Sequence, residues 1–312
     1  MRKILFPTFN RVHEARQKLL LEELSKDFQV CITTYGEKDM DMAKISVDIA
    51  GKFQNALDKI KPDILLARGD RAEILPAVML AFYNGVKIVH IEGGAVTGDG
   101  IFDSKVRHAI TQLSDLHLVT DEQARRNVIS MGISPDKVFN VGSFDVSYAQ
   151  NVVKGFKSPQ GDTQSSEVKD YVLVLHHFIP GEDSELVLEA VRQATNLKII
   201  GTRGNKDYQK SIFKEEYTPE KFISLLKYAK CFVSNSSASC KEASILGCPV
   251  VLCGRRQDGR LAGHNVIRVP HNLDEIRKAT KYQIEHGSYP PDYVYYKPNS
   301  EQLACEIIKN FV

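Results

Sequence analysis

Three carboxylates stand where an α/β protein would use them for chemistry. Asp70 follows the apolar run 63–66 within Arg68–Gly69–Asp70–Arg71. Glu92 closes the run 87–91 and is followed by Gly93–Gly94. Asp103 heads a helical pattern with Arg107 four residues later, on the same face. Loops after the carboxyl ends of parallel strands are where such sheets bind ligands. Acid–base chemistry needs one group to remove a proton and another to deliver one, and neighbouring carboxylates can hold different pKa values. Each residue also has a plainer reading. Asp70 would cap the next helix, Glu92 would sit in a glycine turn whose small residues let a ligand approach, and Asp103 with Arg107 would be a cap plus a surface ion pair. Convergence of three on one sheet edge favours chemistry. No histidine or cysteine lies at ligand spacing with them, so no metal is expected.

A second set suits a phosphate and a ribose. His176–His177 end the apolar run 171–175. The run Ser234–Asn235–Ser236–Ser237–Ala238–Ser239 links a strand to a helix, and its hydroxyls and amides suit a diphosphate. Glu242 lies in the first turns of that helix, placed to accept from ribose hydroxyls. Arg255, Arg256 and Arg260 follow the run 249–252 and add cations to the same edge. Neither GxGxxG nor a Walker A motif is present, so no nicotinamide or P-loop cofactor is expected. His117 lies inside a strand and reads as a core histidine.

The elements that would carry these residues alternate. Strands are expected at 3–6, 29–33, 63–66, 87–91, 116–119 and 138–141. Helices are expected at 15–24, 49–60, 72–83, 106–113 and 121–131. The strands are continuously apolar, which marks a parallel sheet covered on both faces. Residues 156–169 read as a linker rich in Gly, Ser, Gln and Asp. A second series comes after it, at 171–175, 185–194, 198–200, 219–229, 231–234, 241–246 and 249–252. The expected organisation is α/β, with an N-terminal Rossmann-like domain over 1–155 and another over 170–299. The two would face across a cleft, and a last helix in 300–312 would pack back on the first domain.

Composition excludes other classes. The chain has 312 residues, 43% of them hydrophobic, and a net charge of +2 with both signs interspersed. That balance gives no case for a nucleic-acid or membrane partner. The longest apolar stretch, 74–91, is broken by Pro76, Asn84, Gly85 and Lys87. Six scattered cysteines read as reduced core residues of a soluble, cytoplasmic protein.

The ordered motifs resemble the UDP-N-acetylglucosamine 2-epimerase family. They are Gly69–Asp70–Arg71–Ala72–Glu73, His90–Ile91–Glu92–Gly93–Gly94, and Phe102–Asp103 running into Arg107–His108–Ala109–Ile110–Thr111. Asn235–Ser236–Ser237, Glu242–Ala243 and the Gly254 to Arg260 run continue the match. The hydrolysing branch is most similar. The resemblance implies a GT-B-like fold, a UDP-amino sugar substrate and a homodimer. It implies elimination of UDP to a glycal intermediate, then addition of water with inversion at C2. Carried over by position, Asp70, Glu92 and Asp103 become acid–base residues, and Arg107 and His176 contact phosphate or sugar. Ser236, Ser237, Glu242 and Arg256 contact the UDP moiety. The family's first Gly-Thr-Arg loop is here Phe9–Asn10–Arg11, which retains Arg11. Ala95 replaces a frequent glutamate, one residue is added between Thr97 and Asp103, and the stretch 33–62 is short. These departures keep open a non-hydrolysing epimerase, a diacetamido-sugar substrate, a GT-B glycosyltransferase and an inactive nucleotide-sugar binder.

Overall fold

The computed structural model describes residues 1–9, 11–35, 42–98, 102–155, 170–203 and 211–312. The expected linker, 156–169, lies outside the described residues. The chain divides into two compact units. The first comprises Met1–Val96, Gly100–Phe144 and Lys297–Val312, and the second Thr97–Asp99 and Asp145–Tyr296.

The first unit is a six-stranded parallel sheet. Its strands are β1 (Lys3–Thr8), β2 (Gln29–Thr34), β3 (Ile64–Arg68), β4 (Lys87–Ile91), β5 (Leu116–Val119) and β6 (Val138–Asn140). They lie in the order β2-β1-β3-β4-β5-β6. Alternate residues of each strand enter opposite faces. Ile4, Phe6, Ile64 and Leu66 meet Leu20, Leu21 and Leu24 of α2 (Lys18–Leu24) and Ala304, Cys305 and Ile308 of α12 (Ser300–Phe311). Leu5, Leu65 and Ala67 face the other way. There they meet α3 (Met42–Ile60), α4 (Ile74–Tyr83) and α5 (Phe102–Leu113). Ile49, Phe53 and Leu57 recur every four residues on α3, which is why that segment is a helix with one buried stripe. Helix α6 (Glu122–Ser130), capped by Asp121, packs Ala124 and Val128 on β5 and β6.

The helix expected over 15–24 is two. A short α1 (Arg11–Ala15) ends before α2, and Gln17 between them is buried.

The second unit repeats the winding with five parallel strands in the order β11-β10-β9-β7-β8. They are β7 (Tyr171–Leu175), β8 (Lys198–Gly201), β9 (Cys231–Ser234), β10 (Val250–Cys253) and β11 (Val266–Val269). Val172, Val174, Val233 and Val251 pack against α8 (Ser184–Ala194) and α11 (Leu273–His286). Leu173, Phe232 and Leu252 pack against α9 (Pro219–Tyr228), α10 (Glu242–Leu246) and α7 (Phe144–Lys154). The division falls after Phe144, so nearly all of α7 groups with the second unit, a helix earlier than a boundary at 155. All six cysteines are free thiols, and five are buried. No helix among the described residues is long and apolar enough to cross a membrane.

Candidate active site

The first cluster lies at the carboxyl edge of the first sheet. Asp70 follows β3, but it does not cap α4: the cap position is Glu73. Instead Arg107, from the second turn of α5, donates through Nη2 to Asp70 Oδ2. Its Nη1 donates to the Ala95 carbonyl at 2.6 Å. Arg107 is 1% exposed, so its charge depends on these partners. Asp103 sits one turn earlier on α5. The three expected residues Asp70, Arg107 and Asp103 therefore belong to one turn and one helix face.

Glu92 follows β4 with φ +66, a left-handed conformation that costs a non-glycine residue roughly 1–3 kcal/mol. Among the described residues, two partners hold its carboxylate. Ser143, after β6, donates to Oε1 at 3.2 Å, and Arg68, the last residue of β3, approaches Oε2 at 3.5 Å. Both side chains of the Arg68–Glu92 pair are largely shielded. Neither Arg68 nor Ser143 stands out in the sequence, because a polar residue closing an apolar strand has no distinctive spacing.

The two glycines after Glu92 serve packing within the unit. A Cβ on Gly93 would lie 2.7 Å from His90 Nδ1, and one on Gly94 would lie 2.3 Å from the Ala124 carbonyl. A side chain at either position would therefore meet His90 or the chain around Ala124. Arg11 opens α1, and its side chain lies outside the described residues.

The second cluster lies at the carboxyl edge of the second sheet. Asn235 follows β9 and bridges to the chain after β7. Its Oδ1 accepts from the His177 amide at 2.8 Å, and its Nδ2 donates to the His177 carbonyl at 2.9 Å. Strand order reverses between these two strands, which is where doubly wound sheets bind ligands. Ser236 caps the short 3-10 turn Ser237–Ser239, its hydroxyl accepting from the Ala238 amide at 3.3 Å. Glu242 opens α10 and is 1% exposed. Arg256 donates to the Asn235 carbonyl at 3.2 Å, and Gln257 donates to the same oxygen at 3.0 Å. Arg256 thus braces the loop that the serines occupy.

His176 is buried. Its Nδ1 lies 2.9 Å from Ser184 Oγ, and its Nε2 lies 3.6 Å from Glu182 Oε2. Burial alone would raise the Glu182 pKa. The nearby His176 ring and the Arg255 amide outweigh it and hold the carboxyl below its usual range. His271, just after β11, completes a group with His176 and Glu182 whose ligand atoms lie within 4.8 Å of one another. The Asp183 amide donates to His271 Nε2 at 2.9 Å, which leaves the neutral ring's proton on Nδ1. That tautomer makes His271 Nδ1 a donor rather than a metal ligand. His176 and His271 stand far apart in sequence, so no spacing could have announced the group.

Two doubly wound parallel units define an α/β protein of the GT-B-like class. The chain belongs to the UDP-N-acetylglucosamine 2-epimerase family, whose model matches residues 13–309. It is 25% identical over 279 residues to a GDP/UDP-N,N'-diacetylbacillosamine 2-epimerase (hydrolyzing) of Campylobacter jejuni, covering 80% of this chain and 72% of that one. It is 27% identical over 276 residues to a UDP-N-acetylglucosamine 2-epimerase of Neisseria meningitidis, covering 81% and 72%. A solved UDP-GlcNAc 2-epimerase of Methanocaldococcus jannaschii, in complex with UDP-GlcNAc and UDP, shares the fold. The TM-score is 0.81 at 18% identity over 99% of each chain.

Proposed function

We propose that this protein is a hydrolysing 2-epimerase that converts UDP-N-acetylglucosamine to N-acetylmannosamine and UDP. The observation that carries the reading is the first sheet edge, where Asp70 is paired with Arg107 while Glu92 is held by Arg68 and Ser143. Inversion at C2 requires a proton to leave one face of the sugar and another to arrive on the opposite face. Two groups are needed for that, and a third helps the leaving group or the water.

In the elimination, a carboxylate takes the C2 proton, the C1–O bond to UDP breaks, and a C1–C2 double bond forms. In the hydration, water adds its oxygen to C1 and a second carboxyl delivers a proton to the other face of C2. Asp70, Glu92 and Asp103 are the candidates for these proton transfers. Arg107 orients Asp70. On the second sheet edge, His176 and the loop Ser236–Ser237 suit the diphosphate, and Glu242 suits the ribose.

The test is a proton NMR time course with UDP-N-acetylglucosamine in deuterated water. The expected result is free N-acetylmannosamine carrying deuterium at C2, together with UDP. Accumulation of a UDP-linked mannosamine instead would make the enzyme non-hydrolysing. Bound UDP with no conversion would sink the substrate assignment.

A second reading has its own support. The Campylobacter relative's name specifies a diacetamido sugar. A UDP-diacetamido sugar hydrolysed when UDP-N-acetylglucosamine is not would establish that reading.

A further inference from the structure

His90 lies within β4 and is fully buried. Its ring touches both elements that carry the Asp70–Arg107 pair. Nε2 lies 3.0 Å from the carbonyl of Gly69, the residue before Asp70. Nδ1 lies 3.2 Å from Thr111 Oγ1, and that hydroxyl lies 2.9 Å from the Arg107 carbonyl. Arg107 then closes the circuit on Asp70.

The protons can be placed. A carbonyl only accepts, so Nε2 carries the ring proton and Nδ1 turns a lone pair to Thr111. The Thr111 hydroxyl has one proton and two acceptors within reach, Nδ1 and the Arg107 carbonyl. Burial pushes the His90 pKa down to about 3, opposed by the Gly69 carbonyl and assisted by His117 and Arg107. The ring therefore stays neutral at ordinary pH, and it does not compete with Arg107 for the Asp70 carboxylate. Gly93 leaves the space that this requires, since its Cβ would also come within 3.3 Å of Thr111 Oγ1.

We propose that His90 is a positioning residue that fixes the Asp70 turn against the Arg107 helix and acts on the reaction only through that pair. The proposal rests on the reading of Asp70 and Arg107 as reaction residues. Misplacing a reacting group by about 1 Å costs about 100-fold in rate, so a link of this kind governs turnover more than binding.

Three variants of the full chain test it with UDP-N-acetylglucosamine. His90→Leu is expected to lower kcat about 100-fold while KM and UDP affinity stay within about twofold. His90→Gln, whose amide N–H reaches toward the same carbonyl, is expected to recover about tenfold of that loss. Thr111→Val, which cuts the far side of the circuit, is expected to cost about tenfold and covers the case in which His90→Leu does not fold. Unchanged kcat in His90→Leu beside an active wild type overturns the proposal. So does a loss that follows thermal stability across the three variants with no recovery by glutamine. A ¹⁵N spectrum of the His90 ring needs no turnover and separates this proposal from the substrate assignment. It is expected to show a neutral ring protonated on Nε2 from about pH 8 to pH 5. A proton on Nδ1, or titration near the ordinary histidine value, overturns it even where UDP-N-acetylglucosamine is not converted.

Discussion

The two sheet edges are built on the same winding, yet they carry different residues. The edge of the first unit concentrates charge. It pairs the shielded guanidinium of Arg107 with Asp70 and that of Arg68 with Glu92. The edge of the second unit sets neutral polar groups beside its charged Glu182, Glu242 and Arg256. Asn235 bridges two strand ends, Ser236 caps its turn, and Arg256 and Gln257 both brace the Asn235 carbonyl. An edge that must move protons needs ionisable groups with fixed partners. An edge that must seat an anion needs oriented amides and hydroxyls. Under the proposed function one topology would serve two chemistries, with the loop residues at the strand ends making the difference.

The largest expected effect breaks the first edge alone. Asp70→Asn should lower turnover of UDP-N-acetylglucosamine at least about 1,000-fold, with UDP affinity changed by no more than about twofold. Steady-state kinetics and UDP calorimetry on one preparation check it. A matching loss of UDP affinity would mean that the two edges are not functionally separate.

Stability against acid should separate the units next. Burial pushes the His117 pKa down to about 4, with Asp115 opposing. Between about pH 6.5 and pH 4 the unfolded chain then binds a proton that the folded first unit refuses, so stability falls as pH falls. At about 1.4 kcal/mol per pKa unit, the loss approaches about 3 kcal/mol by pH 4. In the second unit the buried thiols are pushed up, Cys253 to about 12, and do not titrate in that window, while His271 and Glu182, both lowered, add losses of the same sign. Hydrogen exchange should therefore show the amides of β4 and β5 losing protection on acidification, and His117→Phe should remove part of the dependence, with His90 on β4 supplying the rest. Equal loss in His117→Phe would refute the assignment.

Glu242→Gln should weaken UDP binding about tenfold while kcat at saturation is retained, the mirror image of Asp70→Asn. Reduced kcat with unchanged affinity would reverse the proposed division of labour. The smallest effect is expected from Ser143→Ala, which removes one of the supports of Glu92 seen among the described residues and should cost turnover about fivefold. No change would leave Arg68 as the support that matters.

Much of this was legible in the sequence where periodicity is strong. The strands 87–91, 116–119, 171–175 and 231–234 form where their apolar runs stand. Less was legible where pattern and burial part company. The α7 segment mixes Asp145, Ser147 and Asn151 with its apolar residues, and no helix was expected there. The strand β11 holds Arg268 among three branched residues, and neither it nor α11 was expected. At the site, the residue types at strand ends were readable because chemistry restricts them. Their partners were not. Asp70 meets Arg107, Glu92 meets Ser143, and His176 meets Glu182 and His271 only once the sheets exist. The glycines are ambiguous for a related reason: a small residue reports that something is close, and at Gly93 and Gly94 the structure shows His90 and the chain around Ala124 to be close.

Helix α12 is the last element of the chain, yet Ala304, Cys305 and Ile308 complete a face of the first sheet. During synthesis the ribosome delivers every strand of the first unit before any strand of the second. The first unit nevertheless cannot seal that face until the chain has passed residue 308. The unit begun first is finished last, and until then Phe6, Leu66 and Leu118 lack part of the apolar cover they have in the finished fold.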